Sequence, residues 1–219
     1  MPPPTRETRF VPMPADESLR SAWPTPNQQL WTAPEKFFAR TRVNPDFGKP
    51  GWSRDCGRRF HRGCDIAPLR STATGQTTIV NFTDCVTGKD FTSAEPTWIA
   101  HDEVWAVFSG RIIEAVTDES VSDFGRHVVM EHRWPRSNAK FFTLYGHLAE
   151  VNVSALAGVA DSDFIAASGA LLGRMGQTSR SADARNWMAI APHLHFEVWD
   201  ANGAAYDPVE FLKKFLPQP

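Results

Sequence analysis

The octapeptide Pro192-His193-Leu194-His195-Phe196-Glu197-Val198-Trp199 constrains this chain more than any other stretch. Its apolar, β-branched and aromatic content reads as a strand, and Pro192 marks the start. Side chains alternate across a strand, so Leu194, Phe196 and Val198 share a face suited to a core. His193, His195, Glu197 and Trp199 share the other. The two imidazoles then stand roughly 7 Å apart, at about 3.3 Å per residue. That spacing suits one histidine on a metal ion, with its neighbour reaching water or substrate. It also suits two solvated histidines, and the octapeptide alone leaves both readings open.

A strand of this kind needs partners, and the flanking sequence offers them. Residues 104–108 and 111–115 read as a hairpin turning at Ser109-Gly110. Residues 128–131, 140–145 and 170–173 read as further short strands, with Tyr145 and His147 on one face by period two. Asp207 is a plausible N-cap for a C-terminal helix, with Pro208 in its first turn and Glu210 completing a capping box. Phe211, Leu212 and Phe215 would dock that helix on the sheet. Thr32 caps a second predicted helix running through Arg42, with Phe37 and Phe38 on its buried side. Short strands, turns and little helix predict a mainly β fold built on an antiparallel sheet or sandwich.

Composition sets the outer limits. A chain of 219 residues with 42% apolar content can bury a real core. A charged fraction of 22% and a net charge of -2 argue against general disorder and against nucleic acid as a partner. No apolar run reaches 18 residues, so no membrane-spanning helix is predicted. Residues 1–30 carry seven prolines (2, 3, 4, 12, 14, 24 and 26) and read as an extended arm, on the domain surface or mobile. They lack the apolar core of a secretory signal, which fits a cytosolic protein or one whose signal has been removed. The predicted organisation is thus an arm with a short helix over 1–42, and one domain over 43–216. Inside that domain, residues 69–101 contain one strand-like run, 77–82, amid Ser, Thr, Gly and Asp, and read as an insertion or lid. Cys56, Cys64 and Cys85 show no Cys-x-x-Cys spacing; they read as small buried side chains or as one disulfide with any of three pairings.

A second histidine-bearing segment precedes the insertion. His61 and Asp65 are four apart, and Gly63 between them with Pro68 beyond disfavours a helix. In an extended segment His61, Gly63 and Asp65 face one way, and Cys64 the other. Such a pair alone is commonly a surface ion pair. Three pieces in order narrow the choice: His61-x-Gly63-x-Asp65, Tyr145-Gly146-His147-Leu148 and His193-Leu194-His195-Phe196-Glu197-Val198. Together with Gly110, Gly173-x-x-Gly176-x-Thr178 and Asp207-Pro208, they resemble the LytM/lysostaphin-type zinc metallopeptidases, which cut peptidoglycan. The resemblance runs from about residue 43 to 212.

The resemblance implies an antiparallel sheet with a groove, one zinc ion on His61, Asp65 and His195, and His147 and His193 handling water and the transition state off the metal. Two imidazoles and a carboxylate do form a three-ligand set with an open fourth position, the usual form of catalytic zinc. His193 is the expected general base; His147, with Tyr145 helping, is expected to stabilise the oxyanion or protonate the leaving amine, and the two roles are exchangeable. Glu197 is a candidate partner for a ligand imidazole, a solvated salt bridge being the alternative. Arg180 and Trp187, in the long link before the last strand, are candidate substrate contacts. His101, His127 and His132 are expected to be structural, His132 as an exposed strand-end residue.

The function this implies is a zinc endopeptidase of the periplasm or cell exterior acting on peptidoglycan peptides. D-Alanyl–diaminopimelate cross-links are favoured over pentaglycine bridges, because no wall-targeting module is recognisable. Two alternatives remain: a catalytically silent scaffold that binds peptidoglycan or activates a hydrolase, and a metallopeptidase acting on a non-wall peptide.

Overall fold

The computed structural model describes residues 8–15, 17–152, 165–180 and 191–217. Its elements in chain order are α1 (Pro34–Phe37), β1 (Gly51–Arg54), β2 (Arg59–His61), β3 (Cys64–Ile66), β4 (Ser71–Thr83), β5 (Asp90–Ala100), β6 (Glu103–Trp105), β7 (Gly110–Val116), β8 (Arg126–Arg133), β9 (Lys140–Val151), β10 (Ile165–Ala166), β11 (Leu171–Met175), β12 (Leu194–Asp200) and α2 (Pro208–Phe215). The fold is mainly β, with antiparallel pairing throughout. No helix among the described residues is long and apolar enough to cross a membrane.

The main sheet runs β10-β7-β8-β9-β11-β6, with β12 on β9 and β3 on β12. β9 therefore has three partners. Along one edge its residues 141–146 pair with β12, and 148–151 pair with β11. The sheet forks where the partner changes, between Gly146 and Leu148.

Alternation on the paired strands gives the sheet two different faces. Leu194, Phe196 and Val198 of β12 join Val128, Met130, Phe141 and Tyr145 in the main core, beneath Phe211, Leu212 and Phe215 of α2. Val129, Phe142, Leu144 and Trp199 form a smaller cluster on the opposite face. His195 and Glu197 lie on that second face, as the period-two pattern of the octapeptide predicts. The α2 cap is also as expected, the Asp207 side chain accepting from the backbone N–H groups of Val209 and Glu210.

Four expectations need correction. β6 and β7 do not form a hairpin: β6 pairs with β11 and β7 with β8 and β10, at opposite ends of the sheet. Adjacent apolar runs around a Gly turn mimic a hairpin locally, and only long-range pairing separates them. The helix expected from Thr32 to Arg42 is four residues long, with Ala33 rather than Thr32 at its N-cap. It stops because Phe38 bridges to Ile66 and Ala39 donates to the Asp65 carbonyl, so the chain turns extended to cover the edge of β3. Among the described residues of the segment expected to be an arm on the domain surface or mobile, Trp23 and Leu30 are buried in the main core. Ser21 bridges to Phe108, and the Glu17 carboxylate accepts from the N–H groups of Arg136 and Ser137. Finally, within residues 69–101, where one strand-like run at 77–82 was expected, two long strands pair as a ribbon, β4 with β5. A disulfide between Cys56 and Cys85 ties the tip of this ribbon to the β1–β2 turn, while Cys64 is free and buried.

Candidate active site

His61, Asp65 and His195 converge although 134 residues separate the histidines. β2 brings His61, β3 brings Asp65, and β12 brings His195 directly opposite Asp65 in register. The Asp65 backbone is clamped on its other side, its N–H donating to Gly48 O and its carbonyl accepting from Ala39. Gly63 is required between His61 and Asp65. A Cβ there would stand 2.6 Å from Cε1 of His195 and 2.8 Å from the Phe196 carbonyl oxygen.

The donor atoms form a compact triangle. His195 Nδ1 lies 2.9 Å from Asp65 Oδ1, His61 Nε2 lies 3.3 Å from the same oxygen, and the two nitrogens are 3.3 Å apart. A tetrahedral ion with bonds of about 2.0–2.1 Å needs donors about 3.3–3.4 Å apart. The residues present therefore fit a tetrahedral divalent ion, and all three are buried.

Neighbouring groups fix which nitrogen is available. His61 Nδ1–H donates to Lys49 O at 2.9 Å, leaving the Nε2 lone pair for the triangle. His195 Nε2–H donates to Glu197 Oε1 at 2.9 Å, which turns Nδ1 inward. Glu197 is buried rather than solvated, and its other oxygen lies 3.8 Å from Arg62. Burial disfavours charge on His195, but hydrogen bonds to Asp65 and Glu197 outweigh it and raise its pKa to about 9. Burial, with the Arg54 cation nearby, pushes His61 down to about 4. Burial opposes ionisation of Asp65 as well, yet Arg54 and the surrounding imidazoles hold its carboxyl well below the usual range.

His147 reaches the site by an irregular route. Gly146 opposes His195 and Tyr145 opposes Phe196, so regular alternation would send His147 to the core side. Instead His147 adopts φ +62°, a left-handed conformation costing about 1–2 kcal/mol for a non-glycine residue, and its ring swings into the fork. Its ring centre lies 5.0 Å from that of His193 and 5.5 Å from that of His195. Nδ1–H of His147 donates to Thr178 O at 2.8 Å, and Nδ1–H of His193 donates to Ala191 O at 3.0 Å. Both rings therefore direct Nε2 as their basic atom. Burial lowers both pKa values, that of His147 to well below 6.5, so both are neutral near pH 7.

The same bulge overturns the expectation for Tyr145. Its ring is in the main core, and its hydroxyl accepts from Val107 N at 2.9 Å, far from any substrate role. Burial pushes that phenol up to about 12. Arg180 pairs with Asp123 at 3.2 Å on the exposed rim, next to the turn bearing Phe124. Trp187 lies outside the described residues. His101 and His127 are structural, bonding Thr72 and the Gly125 carbonyl respectively. His132 is structural too, though buried rather than exposed, between Ser109 O and Thr143 Oγ1.

Three contributors were not singled out by sequence reasoning. Phe124 stacks on His195 with ring centres 5.4 Å apart. Thr178, noted only as part of a glycine-rich motif, holds His147 with its carbonyl and the backbone of Leu148 and Arg126 with its hydroxyl. Arg54 reaches both Asp65 and His61. In the sequence it is one of several arginines ahead of His61, and nothing local distinguishes it from a solvated one.

The chain matches the model of peptidase family M23 over residues 86–208. The match takes in His147, His193 and His195, and begins after His61 and Asp65. No curated protein and no solved structure matches.

Proposed function

Because the chain belongs to peptidase family M23, we propose that it is a zinc endopeptidase hydrolysing peptide cross-links or stem peptides of bacterial peptidoglycan. The observation that carries this reading is the donor triangle of His61, Asp65 and His195, with sides of 2.9, 3.3 and 3.3 Å. An ion held by these three residues would supply water with a pKa near 7 and a polarised scissile carbonyl. Glu197 orients His195 for that role through the 2.9 Å bond to Nε2. His193, beside His195 and neutral, takes a proton at Nε2. His147, facing both rings and likewise unprotonated at Nε2, is the second proton carrier: it protonates the leaving amine only after taking up at Nε2 a proton released from the attacking water. Arg180 on the rim is a contact for the substrate peptide.

The Cys56–Cys85 disulfide supports a periplasmic or secreted location, because such bonds persist in oxidising compartments. Mass spectrometry of muropeptides released from purified sacculi, with and without a chelator, tests the proposal. Chelator-sensitive opening of D-alanyl–diaminopimelate cross-links is the expected result. Failure to release any fragment from sacculi by metal-loaded protein would overturn it.

A further inference from the structure

Arg54 is a buried cation placed where the reaction does not obviously need one. It is 7% exposed, and its Cζ sits 3.6 Å from the centre of the Phe47 ring. Its Nη2 donates to Asp65 Oδ2 and lies 2.9 Å from His61 Nε2. Burying a guanidinium is costly unless it is paired in good geometry, so the placement calls for a physical account.

The account lies in how Asp65 divides its two oxygens. Oδ1 faces His195 Nδ1 at 2.9 Å and His61 Nε2 at 3.3 Å, inside the triangle. Oδ2 faces Arg54. Free carboxylates bind cations through one oxygen or through both. The Asp65 backbone cannot shift to choose, because Gly48 and Ala39 hold it from one side and β12 from the other. Rotation of the carboxylate is the remaining freedom, and Arg54 restricts it. The His61 Nε2 lone pair can accept from Arg54 or bind an ion, not both. Asp65 Oδ2 is thus the contact that Arg54 keeps when the site is loaded.

We propose that Arg54 is a positioning residue that occupies Asp65 Oδ2 and so reserves Oδ1 alone for the ion. This rests on the reading of His61, Asp65 and His195 as a metal site. A lysine would not replace it, since a point charge lacks the planar fork that fixes a carboxylate's orientation.

Cobalt(II) bound to the full chain is the probe, read by its d–d absorption and by chelator competition. Wild-type protein should give the intense spectrum of a four-coordinate site. Arg54→Met should give the weaker absorption of a higher-coordinate ion, as Asp65 swings to chelate, and about 10–100-fold weaker affinity, the usual effect of losing a group behind a ligand. A spectrum and affinity matching wild type overturn the inference while leaving the metal site standing. Wild-type protein that takes up no cobalt overturns the metal reading and this inference together. If Arg54→Met fails to fold, a crystal structure of zinc-loaded wild type decides. Asp65 bound through Oδ1, with Oδ2 on Arg54, is expected; chelation through both oxygens overturns the inference.

Discussion

The fork around His195 and the ribbon of β4 and β5 are built on opposite terms. At the fork, His61, Asp65, His147, His193, His195 and Glu197 are all buried, and each side chain is held by named neighbours. On the ribbon most residues are exposed, including Ile79 and Ile99 at 56%, and Val80 is the deeply buried exception on β4. A two-stranded ribbon in water is marginal without support. Its support is covalent at Cys56–Cys85 and ionic at Arg42–Glu95, 3.6 Å apart. The contrast teaches that the donor cluster is set by a dense, over-determined core, and that the ribbon is an attachment with its own fastening.

The largest expected effect comes from breaking the fork at its centre. Asp65→Ala or His195→Ala should abolish bound zinc and hydrolysis of sacculi together, read by metal analysis and by release of labelled fragments. Chelation of wild type should do the same reversibly, with activity restored by added zinc. Retained metal in either variant would mean that the two imidazole-bearing strands and β3 are not the site.

Next in size is His147→Ala. Proton transfer by a placed side chain contributes about 10²–10⁴-fold, so kcat should fall by that range while zinc content stays at wild-type level. Full activity in this variant would remove His147 from the reaction. It would also leave its strained backbone, φ +62°, without a functional explanation.

Most of the fork was readable in the sequence, and of the ribbon only part of β4, for physical reasons. β12 alternates strictly between core and polar residues, so period two alone places His195, Glu197 and the core face. The same rule fails at His147, because a single left-handed residue reverses the alternation and sends Tyr145 and His147 to opposite faces. No local feature of Tyr145-Gly146-His147 announces that bulge. The ribbon hides for a different reason. Its strands are rich in Thr and have solvent on most sides, so the apolar alternation that reveals a strand is largely missing. Arg54 was missed because its partners, Asp65 and His61, define it only in three dimensions. The β6–β7 error belongs here as well: pairing partners across a sheet are set by long-range contacts that adjacent runs do not encode.

A smaller effect separates the core itself from the site. His132 is buried between Ser109 O and Thr143 Oγ1, and burial pushes its pKa down to about 4. Above the unfolded value of about 6.5 the ring is neutral in both states and its full contribution to stability is present. As pH falls below about 6.5 the unfolded chain takes up a proton that the folded chain refuses. Stability then drops by about 1.4 kcal/mol per pH unit until about pH 4, a total near 3 kcal/mol. His132→Gln should flatten that part of the pH dependence. The measurement is the difference in chemical-denaturation midpoints between variant and wild type at pH 7 and pH 4.5, both saturated with chelator so that the site histidines contribute equally. A difference that does not change with pH would mean that His132 takes up its proton in the folded chain.

The smallest global effect should come from unfastening the ribbon. The bridge closes a separation of 29 residues, for which loop-closure entropy alone would give about 3–4 kcal/mol. That figure assumes the folded state gains nothing when the bond is cut. Here the released ribbon can fray, so the folded state gains entropy as well, and the net loss should be less than half of it. In Cys56→Ser/Cys85→Ser the denaturation midpoint should move little, while tryptic cleavage after Lys89 at the ribbon tip should accelerate sharply. Zinc content is the discriminating readout. Cys56 lies on the turn between β1 and β2, which carry Arg54 and His61 into the site. If ribbon and fork are separate, His61 stays in place through Lys49 O and the metal remains. Loss of zinc on cutting the bridge would show that the fastening also positions a ligand, and the two regions would then have to be treated as one.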